Sequence, residues 1–353
     1  MTEDAERPPP PGPARERANP VTIRDVATAA GVAIATVSRV IHRNPTVNAD
    51  IKQRVDAAIR ALGYEPNIAA QSMRTRLTRT IACAIRDISM PEFATFVRAA
   101  EGVFRAAGYT LILANTDNDL RQEVDLVRHL SRRRVDGLLL TKSVDDDDGL
   151  NAELERAEVP IVFIDRAPTP IADAVTIDHR HGIRAAVAHL AMLGHTRIGL
   201  LTGQHTTRPG RDRVAAFTEA MRENGLTPDP QLISAQSFIE EQSFRHTSLL
   251  LDRDPPPTAL IMGGMAILSG ALRATQVRGL AVGRDISIVA GCDSDLAELT
   301  TPAITAIRWD IPAWGRTAAN LLLERVNDPG IPAGRQIILP TELVIRASCG
   351  RPN

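Results

Sequence analysis

The sequence lacks the features that mark several common classes of protein. Its three cysteines, Cys83, Cys292 and Cys349, are far apart and odd in number, so neither a disulfide framework nor a CxxC metal site is expected. No run of about 18 apolar residues occurs, and the N-terminus has no signal-peptide core. We therefore expect a cytoplasmic protein that needs no metal and no cofactor.

Motifs of catalysis and nucleotide binding are also missing. None of the patterns GxGxxG, GxxxxGK[ST], HExxH or GxSxG occurs in a suitable place. Asp178, His179 and His181 could suggest a metal group, but they lie where a strand should meet a helix, and helix capping is the expected role. The acidic run 145–148 is interpreted as a solvated loop before a helix. The sequence does not predict an enzyme.

The charge is distributed unevenly along the chain. The 353 residues have a net charge of −1, but residues 21–79 carry nine basic and four acidic side chains, a net charge of +5. A chain of this length should form more than one domain, and its basic head indicates a polyanionic partner. Residues 1–20, rich in Pro, Arg and Glu, are expected to form a disordered tail.

Residues 21–63 have the pattern of a helix-turn-helix. Apolar residues at helical spacing, with Thr22 as N-cap and Asp25 in the first turn, predict a first helix that ends before Gly31. A second helix is predicted from Ile34 to Ile41, and a third follows the cap Asn48. The second helix has the size that fits a DNA major groove. A three-helix module that binds protein instead of DNA is the alternative.

The remainder, residues 80–353, alternates short apolar runs with amphipathic helices. Such alternation predicts parallel sheets with helices on both faces. Two successive sets of this pattern occur, and a helix over 311–327 and a strand over 335–346 return at the end. The fold class is therefore α/β, with two doubly wound parallel sheets behind an all-α head.

The string AxxAGVxxxTVSRVI, from Ala27 to Ile41, closely resembles the DNA-binding module of the lac/galactose repressor family of bacterial transcription regulators. The resemblance extends over most of the chain and implies a lambda-repressor-like head, a hinge over residues 64–79, and a periplasmic-binding-protein-like body that holds an effector between two lobes and forms the dimer. In the family the hinge folds on operator DNA, where an apolar residue from each subunit enters the minor groove. Met73 occupies that position here.

The helix-turn-helix pattern and the resemblance together predict the DNA contacts. In the head they are Thr22, Ile34, Ala35, Thr36, Ser38, Arg39 and His42, and in the hinge Asn67, Ala70, Gln71 and Met73. Ile34 and Ala35 occupy the positions that most vary operator choice in the family. Because both are apolar, they can contact thymine methyl groups but cannot form bidentate hydrogen bonds, so Arg39, Thr36 and the hinge should carry much of the specificity.

Effector contacts are predicted at the ends of strands and by resemblance. The predicted set is Asp87, Phe93, Arg166, Arg211, Met265, Asp293 and Trp309; Met90, Asp165 and Arg213 lie beside them in sequence. The segment DISMPEF resembles the family's DISNPFF, and Arg211 matches the family's ligand-clamping Arg. Trp309 could stack on a ligand or pack between the lobes.

Two departures from the family concern the effector. Gly264-Met265 stands where relatives often have Asn-Asp, and Cys292-Asp293 where they often have Asp-Asp. These losses suggest an effector less polar than a simple pentose or hexose. We expect a homodimeric, ligand-responsive regulator of operator DNA, most often a repressor in this family, whose effector is a sugar or related metabolite. The alternative is a cytoplasmic small-molecule sensor with a degenerate DNA-binding head.

Overall fold

The computed structural model describes residues 21–41, 44, 46–64, 77–236 and 240–352. The chain divides into two units, Met1–Arg76 and Leu77–Asn353. Within the described part, no helix is both long enough and apolar enough to cross a membrane. The tail expected over residues 1–20 lies outside the described residues.

The first unit contains the three predicted helices, α1 (Ile23–Ala30), α2 (Ile34–Ile41) and α3 (Ala49–Leu62). The backbone N–H and the hydroxyl of Thr22 both donate to the Asp25 carboxylate, at 2.8 and 2.7 Å, which fixes the start of α1. Gly31 ends α1 in the left-handed region with φ of 63°, where a side chain would be strained.

A small apolar core holds these helices together. Val26, Val37 and Val55, one from each helix, are fully buried at its centre. Arg54 of α3 donates to the carbonyls of Ala30 and Gly31, which have no partner within α1. The third helix therefore supports the turn that sets the direction of α2.

The second unit consists of two lobes, each built on a six-stranded sheet. In lobe 1 the strand order is β11-β5-β4-β3-β1-β2 and all pairings are parallel. Its strands are β1 (Thr80–Ile85), β2 (Thr110–Asn115), β3 (Gly137–Leu140), β4 (Ile161–Ile164), β5 (Ala172–Ile177) and β11 (Gln336–Leu339). Its helices are α4 (Pro91–Ala106), α5 (Leu120–Arg132), α6 (Asp148–Arg156) and α12 (Ile311–Asn327).

Lobe 2 repeats this arrangement with the order β12-β10-β9-β8-β6-β7, parallel except for the β10–β12 pair. Its strands are β6 (Ile198–Thr202), β7 (Ile233–Ala235), β8 (Ala259–Met262), β9 (Ser287–Ala290), β10 (Thr305–Arg308) and β12 (Glu342–Val344). Its helices are α7 (His179–Met192), α8 (Arg208–Glu223), α9 (Glu240–Leu251), α10 (Met265–Val277) and α11 (Asp295–Leu299).

Both faces of each sheet are covered, and the central strands are fully buried. Helices α4 and α12 pack on one face of the lobe 1 sheet, and Gly315 allows their close approach, since a Cβ there would lie 2.3 Å from the Phe96 carbonyl oxygen. Continuous apolar strands with helical crossovers are typical of doubly wound sheets, and the predicted fold class is confirmed.

The chain crosses between the lobes three times: at Asp178, between Arg308 and Ile311, and at Pro340-Thr341. The Thr341 hydroxyl donates to the Asp178 carbonyl at 2.9 Å, so two of the crossings are joined directly. The single strand predicted over 335–346 is wrong. Pro340 has no N–H for a ladder, and the segment is two strands, β11 and β12, in different sheets.

Candidate functional site

The outward face of α2 is the candidate DNA-binding surface. Ile34, Ala35 and Arg39 are exposed, and Thr36 and Ser38 are half-buried. Ile34 has 45% of its surface exposed, which is unusual for a large apolar residue on a short helix. The opposite face carries Val37 and Val40 into the core, so packing fixes the direction of the exposed side chains.

Of the other predicted DNA contacts, only Thr22 lies among the described residues. Thr22 lies exposed at the start of α1, with its hydroxyl already donating to Asp25. His42 and the hinge residues Asn67, Ala70, Gln71 and Met73 lie outside the described residues, and their contacts remain predictions.

A cavity of about 990 Å³ lies between the lobes of the second unit. It opens where strands of both sheets end and the following turns and helices begin, the usual ligand position in doubly wound folds. The lining residues are mostly polar: Arg86, Asp87, Ser89, Met90, Pro91, Glu92, Thr95, Asp117, Asn118, Arg166, Gln204, Thr207, Gln236, Glu240, Gln242, Met265, Ala266, Ser269, Asp293, Ser294, Asp295, Leu296 and Ile311.

The structure brings four of the seven predicted effector residues to this cavity, namely Asp87, Arg166, Met265 and Asp293. Polar and apolar side chains both line the cavity, and the expectation of an effector less polar than a simple sugar stays a prediction. Asp293 is held by two arginines, at 2.8 Å from Arg308 Nε and from Arg346 Nη1, so its carboxylate is already paired.

The other three predicted residues are not among those that line the cavity. Phe93 is buried in the lobe 1 core, with its ring centroid 6.3 Å from that of Trp314. Trp309 packs against the same core and meets the His179 ring edge-to-face at 6.0 Å, which fits packing between the lobes better than ligand stacking. Arg211 is engaged in an ion pair with Asp145.

The Arg211–Asp145 ion pair connects the lobes. It also shows that the interpretation of residues 145–148 as a solvated loop is wrong for Asp145. Asp145 is buried, not solvated, and its Oδ2 accepts from Arg211 Nη2 of lobe 2 at 2.6 Å. Its Oδ1 lies 3.5 Å from Arg166 Nε of its own lobe. Its backbone N–H donates to the Thr206 carbonyl of lobe 2 at 3.0 Å. Of the run, Asp146 and Asp148 are exposed and Asp147 caps α6.

A second group of side chains in contact consists of His179, Asp165 and Arg213. The sequence did not predict that these three residues contact one another. His179 begins α7, and its Nε2 lies 2.8 Å from Asp165 Oδ2 of lobe 1. Arg213 Nη2 donates to His179 Nδ1 at 3.2 Å, so the Nε2 atom carries the proton and donates to Asp165. Asp178 caps α7 as expected, accepting from the His181 N–H at 3.0 Å.

Burial and the charge of Arg213 lower the pKa of His179, which favours the neutral ring. Burial raises the pKa of Asp165, but the contact with His179 and the charges of Arg166 and Arg213 outweigh it, and the carboxyl is ionised. The sequence signal for Asp165 and His179 was their position at a strand end and a helix start, whereas Arg213 lies in the second turn of α8. Their pairing depends on the crossing at Asp178, which sequence spacing does not reveal.

The comparisons with known proteins agree with this geometry. Residues 22–67 match the family described as bacterial regulatory proteins, lacI family, and residues 187–349 match a periplasmic binding protein-like domain. The HTH-type transcriptional repressor PurR of Haemophilus influenzae (strain PittEE) is 32% identical over 329 residues, which are 93% of this chain and 98% of that protein.

Two further relatives cover nearly the whole chain. The HTH-type transcriptional regulator DegA of Bacillus subtilis (strain 168) is 32% identical over 335 residues, 93% of this chain and 97% of that protein. A solved structure of the lac repressor dimer bound to operator and the anti-inducer ONPF is 30% identical, covers 94% of this chain and 100% of its own, and has a TM-score of 0.82.

Proposed function

The chain belongs to the LacI family of bacterial regulatory proteins, and from that premise we propose how its two units divide the work of regulation. It is a DNA-binding transcriptional regulator, not an enzyme, and its ligand-binding body controls the binding of operator DNA by the dimer.

We propose that α2 enters the major groove with Ile34, Ala35, Thr36, Ser38 and Arg39 toward the bases. The observation that carries this proposal is the exposure of Ile34, Ala35 and Arg39 on a helix whose other face is packed against α1 and α3. A helix of eight residues is about 12 Å long and contacts few base pairs. The operator should therefore be an inverted repeat that two copies of the head bind together.

The effector should bind in the cavity between the lobes and change their relative orientation. Contacts such as Arg211 with Asp145 and His179 with Asp165 join the two lobes at this level, so a ligand that alters the cleft also alters these contacts. Such a change would couple effector binding to the hinges and so to operator affinity. Since the partner is chromosomal DNA, the protein should act in the cytoplasm.

A gel shift with duplex DNA from upstream of the protein's own gene tests this function. We expect a discrete complex with an inverted-repeat fragment and none with a scrambled duplex of equal length, and binding should weaken steeply as salt rises. If the full chain forms a complex with neither duplex while small molecules bind the body, the alternative of a sensor with a degenerate head would hold.

A further inference from the structure

Four exposed arginines lie around the point where the chain enters lobe 1. They are Arg79, just before β1, and Arg132, Arg133 and Arg134, at the end of α5 and in the turn that leads to β3. Because β1 and β3 are neighbouring parallel strands, both groups lie at the same edge of the sheet, where these strands begin. We call these four residues the arginine patch.

Hydrogen bonds hold the two parts of the arginine patch together. The Thr78 hydroxyl donates to the Arg134 carbonyl at 2.9 Å. The backbone N–H groups of Thr78 and Arg79 donate to the Asp136 carboxylate, at 2.8 and 2.7 Å. The guanidinium carbon of Arg79 also lies 5.0 Å from the centroid of the Tyr109 ring. The first residues of the body are therefore fixed beside the turn that carries the other three arginines.

Ion pairs do not neutralise the charge of the patch. None of the described residues forms a salt bridge with any of its four side chains. Asp136 is buried and accepts from backbone N–H groups, and the patch keeps a net charge of +3 when this residue is included. Arg105, at the end of α4, is paired with Glu101 at 3.6 Å and is not counted in the patch. Since residues 80–353 carry more acidic than basic side chains, the patch is a positive surface on an acidic body.

Two of the four arginines have a backbone conformation that favours glycine. Arg79 has a φ of 55° and Arg134 a φ of 54°, both in the left-handed region. A residue with a Cβ is strained there, so the turns alone would favour glycine or asparagine. The presence of arginine at both positions indicates that these side chains have a role beyond forming the turns.

The length of the chain between the two units keeps operator DNA near the patch. Only residues 65–76 separate Tyr64, the last described residue of the head, from Leu77 of the body. Even a fully extended segment of this length spans at most about 45 Å. DNA held by the head is therefore tethered to lobe 1. At the high effective concentration that a short tether gives, contacts with phosphate that are weak individually contribute to affinity.

We propose, building on the proposed function, that the arginine patch binds the phosphate backbone of operator DNA as a contact surface separate from the head and the hinge. Arginine suits this partner because its guanidinium group is always charged and presents several donors to phosphate oxygens. Phosphate contacts carry no base information, so the patch strengthens binding without changing which site is preferred. Because the patch belongs to lobe 1, a ligand that reorients this lobe also makes or breaks these contacts.

Salt titrations of two full-length variants with equal loss of charge test the proposal. The patch variant is R132Q/R133Q/R134Q. The control replaces three exposed arginines of lobe 2 and is R222Q/R245Q/R351Q. Fluorescence anisotropy measures the association constant with the inverted-repeat duplex as the salt concentration rises. Loss of one phosphate contact per subunit should reduce the slope of log association constant against log salt by about 1.8 in the dimer, and should weaken binding at least about tenfold at about 0.1 M salt.

The control should keep the wild-type slope and affinity, and the patch variant should lose affinity for the operator and for a scrambled duplex by the same factor. Equal slopes in the patch variant and the control would overturn the proposal. Because the replaced side chains are exposed, the melting temperature should not change. If it falls, R132Q and R133Q are tested singly, and at least one must reduce the slope. The wild-type gel shift separates this failure from that of the proposed function: if the operator complex forms while the patch variant behaves like the control, only the patch contact is wrong.

Discussion

His179 Nε2 lies 2.8 Å from Asp165 Oδ2, and this contact joins the first residue of a lobe 2 helix to the turn after a lobe 1 strand. Arg213 donates to the other ring nitrogen, so the imidazole is neutral with its proton on the side of Asp165. Trp309, on another crossing, packs its ring edge-to-face with this histidine. The pair therefore lies at the boundary that must move when the lobes reorient.

Acidification should destabilise the protein through His179. The folded state lowers the pKa of this residue below its ordinary value of 6.5, so the unfolded chain binds a proton that the folded chain does not. Stability should fall as the pH falls below 6.5. In H179Q the melting temperature should depend less on pH between about pH 7 and about pH 5. H181Q, which alters the exposed neighbour, should keep the wild-type slope, and equal slopes in all three proteins would contradict the assignment.

Asp145 should contribute to stability through its two arginines. D145N keeps the shape of the side chain but leaves Arg211 and Arg166 without its charge, and we expect a loss of about 1–3 kcal/mol in the free energy of unfolding. D146N is the matched control because Asp146 is exposed, and its effect should stay within about 0.5 kcal/mol. Denaturant titrations of both variants measure the difference, and equal values would refute the buried role of Asp145.

Arg39 should contact a base or a phosphate of the operator from the exposed face of α2. R39A should weaken operator binding by about 1–3 kcal/mol, which is about 5- to 150-fold, without unfolding the head. The control R105A removes an exposed arginine from the body and should leave operator affinity unchanged. Fluorescence anisotropy with the operator and with a scrambled duplex separates specific from non-specific loss. Unchanged specific binding by R39A at physiological salt would show that this residue is dispensable.

Ile34 should contact a thymine methyl group. Replacing an operator thymine by uracil removes only that methyl, and the change should weaken binding about fourfold for each methyl group lost, or about fifteenfold when one position in each half-site is changed. The I34S protein should bind the thymine and uracil duplexes equally at this position. If I34S shows the same loss as the wild type, the methyl is read by another residue.

Most of the fold was predictable because its signals are local. The caps Thr22 and Asn48, the apolar spacing in the head and the continuous apolar strands all lie within short windows of sequence. Strand β5 is difficult to recognise in the sequence because it contains Asp173, which is fully buried in an ion pair with Arg335 from 162 residues further along the chain. Because the neutralising residue is so far along the chain, Asp173 gives the sequence of this buried strand the charge typical of an exposed segment.

The site was predictable in position but not in detail. The ends of parallel strands meet at one edge, and Asp87, Arg166, Met265 and Asp293 accordingly line the cavity, although their contact with an effector stays a prediction. Whether an aromatic residue such as Phe93 faces a ligand or the core depends on tertiary packing. Glu92 Oε2, which is buried, has no hydrogen-bond partner among the described residues, and that is visible only in three dimensions.

The three crossings between the lobes also limit how the body can deform. Because the chain returns to lobe 1 through α12 and β11 and then ends in lobe 2, neither lobe is formed from one continuous stretch of sequence. Unfolding one lobe would disturb strands or helices that the other lobe needs to complete its sheet and helix layers. The two lobes should therefore unfold as a single cooperative unit. Cutting the chain at any one crossing would not release an autonomous half, and a lobe expressed alone should require the missing segment as a separate peptide.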